Sequence, residues 1–147
     1  MYKHILIPTD GSTASARAAK AGIKLAASVG ARVTAFFAAP TPTPVVYDGV
    51  LPVGYMPPDQ HAALIERAAA KYLGAIADLA RAADVACEAV HVTSDFPADA
   101  ILEFAEKRKH DLIVIAPHSK SALAELFLGS QSQKVVARAK IPVLVFR

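Results

Sequence analysis

HILIPTDG, residues 4–11, and LIVIAP, residues 112–117, decide how this chain folds. Each opens on consecutive aliphatics, Ile5, Leu6 and Ile7 in one and Leu112 through residue 115 in the other, and such a run marks a strand buried on both faces, as at the centre of a parallel sheet. After Gly11 the period becomes helical: Ala16, Ala19, Ile23 and Ala26 form one stripe, Arg17, Lys20 and Lys24 the opposite face, and Gly30 stands where a helix stops. Arg32 to Ala39 reads as a second strand. Helical spacing resumes from Asp59, a cap, through Ile65, Ala69, Tyr72, Ile76, Leu79 and Ala83. Residues 85–92 alternate, which predicts a strand with one wet face near a sheet edge, Cys87 filling core. Pro97 suits the first turn of a third helix through Ile101, Leu102 and Ala105, and the cluster Lys107, Arg108, Lys109, His110 falls at that helix's negative end. A helix through Val135 and Val136 and a last strand, residues 143–146, complete the chain.

Strands alternating with helices require parallel pairing and right-handed crossovers, hence a three-layer α/β sandwich with helices on both sheet faces. The two most apolar strands should be central neighbours. Strand order reverses between them, and open α/β sheets bind ligands at such a reversal, beyond the carboxyl ends of the strands. The expected site is therefore built from residues 9–12 and 117–131. Six of the ten prolines fall in residues 40–58, a stretch too poor in backbone donors for a regular helix or internal strand; it reads as a long loop, either a binding segment or a surface excursion.

The 147 residues predict one domain, 1–147, with a single core. A 54% apolar and 20% charged composition is too apolar for a disordered chain, and no apolar run approaches the roughly 20 residues of a membrane span. One cysteine, no asparagine to accept a glycan and no secretory signal pattern predict a reducing compartment, the cytoplasm. Sixteen Lys and Arg against thirteen Asp and Glu, spread along the chain, argue against sequence-specific nucleic-acid binding.

No phosphate loop of the GxxxxGK[ST] type, GxGxxG fingerprint, HExxH or CxxC occurs, and GSQSQ lacks the closing glycine of a hydrolase elbow. What remains is Asp10 at the tip of the first strand, opposite a Ser-rich segment leading into a helix. Gly129, Ser130, Gln131 and Ser132 would set free N–H groups and hydroxyls at that helix's positive end, an anion site suited to phosphate, or Ser130 is simply an N-cap with Gly129 easing the turn before it. Asp10 likewise has two readings: it closes the turn before the first helix, or it helps hold a magnesium ion together with phosphate oxygens, or meets a sugar hydroxyl. His118 is either an anion contact or an exposed loop histidine. Histidines 4, 61, 91 and 110 fall at element ends and read as structural.

ILIPTDGSTAS (residues 5–15), DLIVIAP (111–117) and LGSQSQKVVARAKIPVLVFR (128–147) strongly resemble the first strand and loop, the fourth strand and the closing signature of the universal stress protein family, a likeness spanning nearly the whole chain. The resemblance implies a five-stranded parallel sheet of order 3-2-1-4-5, the adenine-nucleotide alpha-hydrolase-like architecture, and a homodimer through the last strand, Val143 to Phe146; an apolar exposed edge there would otherwise invite uncontrolled pairing. Nucleotide-binding members carry Gly, two residues, Gly, nine residues, then Gly and Ser or Thr. Here those places hold Ala116, Ser119, Gly129 and Ser130, so the spacing is intact and two glycines are absent. The resemblance places Asp10 by the metal or phosphate, the backbone near Ala38 by adenine, and Ser119, Gly129, Ser130 and Gln131 around the phosphates; Thr9, Ala116 and His118 are the other residues expected in the site. A left-handed conformation at a non-glycine residue would cost roughly 1–2 kcal/mol, and Pro117 removes an N–H.

Two functions follow. One is a stress-response regulatory module holding ATP or another adenine nucleotide, with Mg2+, at the reversal point. The other is a nucleotide-free dimeric interaction module whose Pro-rich loop and dimer surface meet protein partners. No true catalysis is expected, at most slow ATP hydrolysis, since only Asp10 and His118 offer a base.

Overall fold

The computed structural model describes residues 1–41, 56–117 and 129–147. Among the described residues strands and helices alternate: β1 (His4–Pro8), α1 (Thr13–Val29), β2 (Arg32–Ala39), α2 (Pro58–Ala82), β3 (Cys87–Thr93), α3 (Pro97–Lys107), β4 (Leu112–Ile115), α4 (Ser130–Arg138) and β5 (Val143–Val145). Every pairing is parallel and the strand order is β3-β2-β1-β4-β5, as the resemblance implies. β1 is flanked by β2 and β4, with Ile5 opposite Val33 on one side and Leu112 on the other. The aliphatic runs that marked β1 and β4 as central are buried throughout.

Side-chain alternation divides the core in two. Ile5, Ile7, Val33, Ala35, Phe37 and Val114 point to the face covered by α1 and α2, through Ala19, Ile23, Leu73 and Ile76. Leu6, Phe36, Ile113 and Ile115 point to the other face, covered by α3 and α4 through Ala98, Ile101, Ala105 and Val135. Gly22 lets α1 approach β1: a Cβ there would stand 2.7 Å from Ile7 Cδ1.

The structure corrects several sequence expectations. Ala16 is exposed, and α1 instead buries Ser15, Ala18, Ala19, Gly22, Ile23 and Ala26, because Ser15, tied to the Ser12 cap, is on the inward face. The N-cap of α2 is Pro57, with Asp59 in the first turn, where its charge suits the positive helix end. β3 begins at Cys87 rather than 85, since Val85 turns back to donate its N–H to the Ala80 carbonyl and close α2. It is an edge strand, as its alternation predicted. β5 stops one residue short of its expected end, at Val145. His110 does not join the basic cluster at the end of α3: it is 4% exposed and packs inward. The expected loop 40–58 lies mostly outside the described residues, apart from its two ends.

Candidate functional site

β1 and β4 diverge at their carboxyl ends, and a cleft of about 370 Å³ opens there, within the range that holds small-molecule ligands. Of the residues singled out in the sequence, Thr9, Asp10, Ala38, Ala116, Ser130 and Gln131 line this one cleft. Gly129 is the N-cap immediately before Ser130. His118 and Ser119 lie outside the described residues.

The β1–α1 loop is tied by its own polar groups. Asp10 Oδ1 accepts from the Ser12 N–H at 2.9 Å and from Ser15 Oγ at 2.6 Å, the turn-closing arrangement. Ser12 Oγ accepts from the Ser15 N–H at 3.1 Å and caps α1, while Thr9 Oγ1 takes the Gly11 N–H. Gly11 is obligatory in this loop. Its φ is +81°, and an added Cβ would stand 2.3 Å from the Tyr72 ring, which is itself held edge-on against Phe37. Among the described residues no group of three or more His, Cys, Asp or Glu could hold a metal, so a magnesium ion here would depend on Asp10 and phosphate oxygens.

Opposite this loop stands the amino end of α4. Its N-cap is Gly129 rather than Ser130, and a glycine has no side chain to cap with, so among the described residues the first turn brings its N–H groups and the positive end of the helix dipole to the cleft. Ser132 Oγ donates to the Ala116 carbonyl at 2.8 Å in a buried bond that fixes α4 to the end of β4. Gln131 reaches sideways: its Oε1 accepts the Ala98 N–H at 3.1 Å, satisfying the start of α3. Three helix amino ends therefore converge on one cleft, and two of them are capped by side chains. Sequence reasoning missed the third element, α3, whose Pro97 and Ile101 line the cleft; the helix start at Pro97, a short turn after the carboxyl end of β3, was the available signal.

Phe36, Ile101, Ile115 and Val135 form an apolar floor. β2 supplies the wall. The Phe36 carbonyl accepts from the Thr9 N–H on the β1 side, whereas the Ala39 carbonyl accepts from Ser94 on the β3 side. Backbone groups alternate along a strand, so the N–H and C=O of Ala38 face the same way as those of Phe36. β1 pairs no further than Pro8 with Phe36, so those groups emerge past its end into the cleft.

Ala116 stands where the nucleotide-binding pattern has glycine. Positive φ among the described non-glycine residues occurs at Asp84 and Lys109, so the expected left-handed strain at Ala116 does not arise and its added methyl is the remaining difference. Past the carboxyl ends of β2 and β3, the Asp95 carboxylate takes both the N–H and the hydroxyl of Thr41, and the hydroxyl bond chiefly holds its pKa below the usual value.

At the opposite end of the sheet, His4 Nε2 and His110 Nε2 lie 2.8 and 3.0 Å from one acceptor and donor, Thr34 Oγ1, with the rings 3.8 Å apart. Burial lowers both pKa values, that of His110 to about 4. Cys87 is half-buried, and burial pushes its thiol up.

An open parallel α/β sheet with a cleft at its reversal point is the architecture that places ligand sites beyond the carboxyl ends of its strands. The profile described as "Universal stress protein family" matches residues 1–147, and the chain belongs to that family. It is 35% identical to a universal stress protein of Methanocaldococcus jannaschii, covering all of this chain and 83% of that one. It is 37% identical to one of Thermus aquaticus over the full length of both. Among solved structures, a universal stress protein in complex with cAMP superposes with a TM-score of 0.72 at 27% identity, over 99% of this chain and 97% of that one. Among the described residues no helix is long and apolar enough to cross a membrane.

Proposed function

We propose that this chain is a regulatory module that holds an adenine nucleotide in the cleft between β1 and β4, without chemistry on it. The observation that carries this reading is the pairing of two recognition elements across one cleft. The outward N–H and C=O of Ala38 match the donor–acceptor edge of adenine, and the open amino end of α4 suits a phosphate. The apolar floor of Phe36, Ile101, Ile115 and Val135 suits an aromatic base. The structure that superposes at 27% identity is a complex with cAMP, which supports the same ligand class. Asp10, bound at Oδ1 by Ser12 and Ser15, serves the loop and the ribose or phosphate side of the ligand rather than as a base; Mg2+ is no necessary part of the reading. Leu144 and Phe146, 41% and 39% exposed at the β5 edge, are the basis for proposing a homodimer through that strand.

Calorimetric titration of the full chain with AMP, GMP and CMP tests the base reading. AMP should bind at micromolar levels or weaker and the other two at least about tenfold more weakly, a difference of roughly 1.4 kcal/mol. Equal response to all three would reduce the site to a phosphate cradle. No response to any at millimolar concentration would favour the nucleotide-free interaction module.

A further inference from the structure

We infer that Gln131 couples a phosphate held in the cleft to the amino end of α3, each end of its side-chain amide serving one partner, a form of regulation that rests on the adenine-nucleotide reading above. α3 has few means of its own to close that end. Its N-cap, Phe96, makes no side-chain capping bond, and Pro97 has no N–H. The next donor is that of Ala98, a residue with no exposed surface. A buried donor without an acceptor is costly, and α3 takes its acceptor from another helix: Gln131 Oε1, 3.1 Å away and 33 positions along the chain. An N–H can only donate, so this bond fixes which end of the Gln131 amide is the carbonyl.

The other end is Nε2, with two N–H donors. Among the described residues Gln131 makes no other hydrogen bond, and Nε2 is not one of the side-chain atoms buried without a partner, so it stands open. Gln131 is the second residue of α4 and lines the cleft beside the first-turn N–H groups of that helix. With its carbonyl committed to α3, the amide has only donors to offer a ligand, and a phosphate oxygen is the acceptor that complements them through a charge-assisted bond. The other ties between the two helices, Asp99 with Arg138 and Glu106 with Lys140, join exposed side chains and contribute little. The Gln131–Ala98 bond is the part-buried tie, and the one a ligand can steady. One hydrogen bond holds a long side chain in place part of the time; engaging both ends of the amide removes its remaining freedom, and the Ala98 bond persists. The coupling is reciprocal, so whatever fixes the start of α3 also tightens the ligand. Its effect reaches the turn just before α3, where the Phe96 N–H rests on Ser94 Oγ and the Phe96 ring is 68% exposed, a surface on which occupancy is displayed.

The test is amide hydrogen exchange of the full chain, followed by NMR, with AMP and with adenosine as the phosphate-free probe. Ligand binding slows globally exchanging amides alike, whereas the coupling adds a local slowing at Ala98. Saturating AMP should slow Ala98 about fivefold more than Ala105, farther along α3, and adenosine should slow the two equally. Gln131→Met removes both polar ends: Ala98 should exchange faster in the ligand-free chain, and AMP should bind about tenfold more weakly, adenosine losing less. Gln131→Glu keeps an oxygen for Ala98 and lacks the donors, so Ala98 should stay protected without ligand while AMP no longer slows it selectively. Equal slowing of Ala98 and Ala105 by AMP in the wild type, or selective slowing that persists in Gln131→Glu, would overturn the coupling and leave the adenine reading standing. Absence of binding by both AMP and adenosine would overturn both.

Discussion

Lowering the pH should destabilise this protein through His110 before most of its carboxylates titrate. The His110 ring is 4% exposed and sits against His4, with both Nε2 atoms on the hydroxyl of Thr34 and neither Nδ1 atom hydrogen-bonded. Burial, then the neighbouring His4, lowers its pKa from 6.5 to about 4. The folded state therefore binds fewer protons than the unfolded state between those values. Stability contributed by the neutral ring is complete above about pH 6.5 and is lost as pH falls toward 4. The shift of 6.5 minus about 4, at 1.36 kcal/mol per unit, corresponds to about 3 kcal/mol, a large share of a typical 5–15 kcal/mol. His4 shifts in the same direction, chiefly through burial, and adds to the loss; nearby Arg32 and Arg108 oppose protonation of both rings. Urea denaturation between pH 7.5 and 4 should show the wild type losing about 3 kcal/mol more than His110→Gln, which can bond Thr34 without titrating. Proton NMR of the folded chain provides a second readout. A His110 ring resonance titrating near 6.5, or equal pH slopes for the two proteins, would refute the reasoning.

Gly11→Ala should cost about 2–4 kcal/mol in chemical denaturation, because it combines a left-handed φ with a clash on the Tyr72 ring; adding Tyr72→Ala should recover the clash portion alone. Lys109→Gly should stabilise by about 1 kcal/mol and raise Tm by about 2–4 °C in calorimetry, since Lys109 has a φ of +55°. Ser132→Ala removes a buried bond to the Ala116 carbonyl, and should lower stability by about 1–2 kcal/mol and weaken AMP binding measured by titration. Leu144→Lys, on the β5 edge, should shift a dimer toward monomer in analytical ultracentrifugation while leaving Tm within a few degrees.

The aliphatic runs of β1 and β4 made the sheet legible, because burial on both faces leaves no room for polar residues at alternate positions. The two main strands of the cleft and its α4 end followed from that topology. Elements governed by main-chain detail did not follow: Val85 reads as the start of a strand, yet its N–H closes α2. Gly129 takes the cap position that the Ser130 hydroxyl suggested, because the helix turns one residue earlier than side-chain preference indicates. The His4–Thr34–His110 cluster joins residues 30 and 76 positions apart, which no local pattern reveals, although a lone threonine amid Arg32–Ala39 hinted at a buried partner. The contribution of α3 was missed for the same reason: Gln131 binds it across 33 positions.

β2 continues for three residues beyond its last pairing with β1, and it is main-chain atoms, not a side chain, that face the cleft at Ala38. Recognition built on such an edge is insulated from drift. Alanine there can become serine, valine or cysteine over generations without erasing the donor and acceptor, so relatives sharing little identity can keep one ligand preference that no residue signature records.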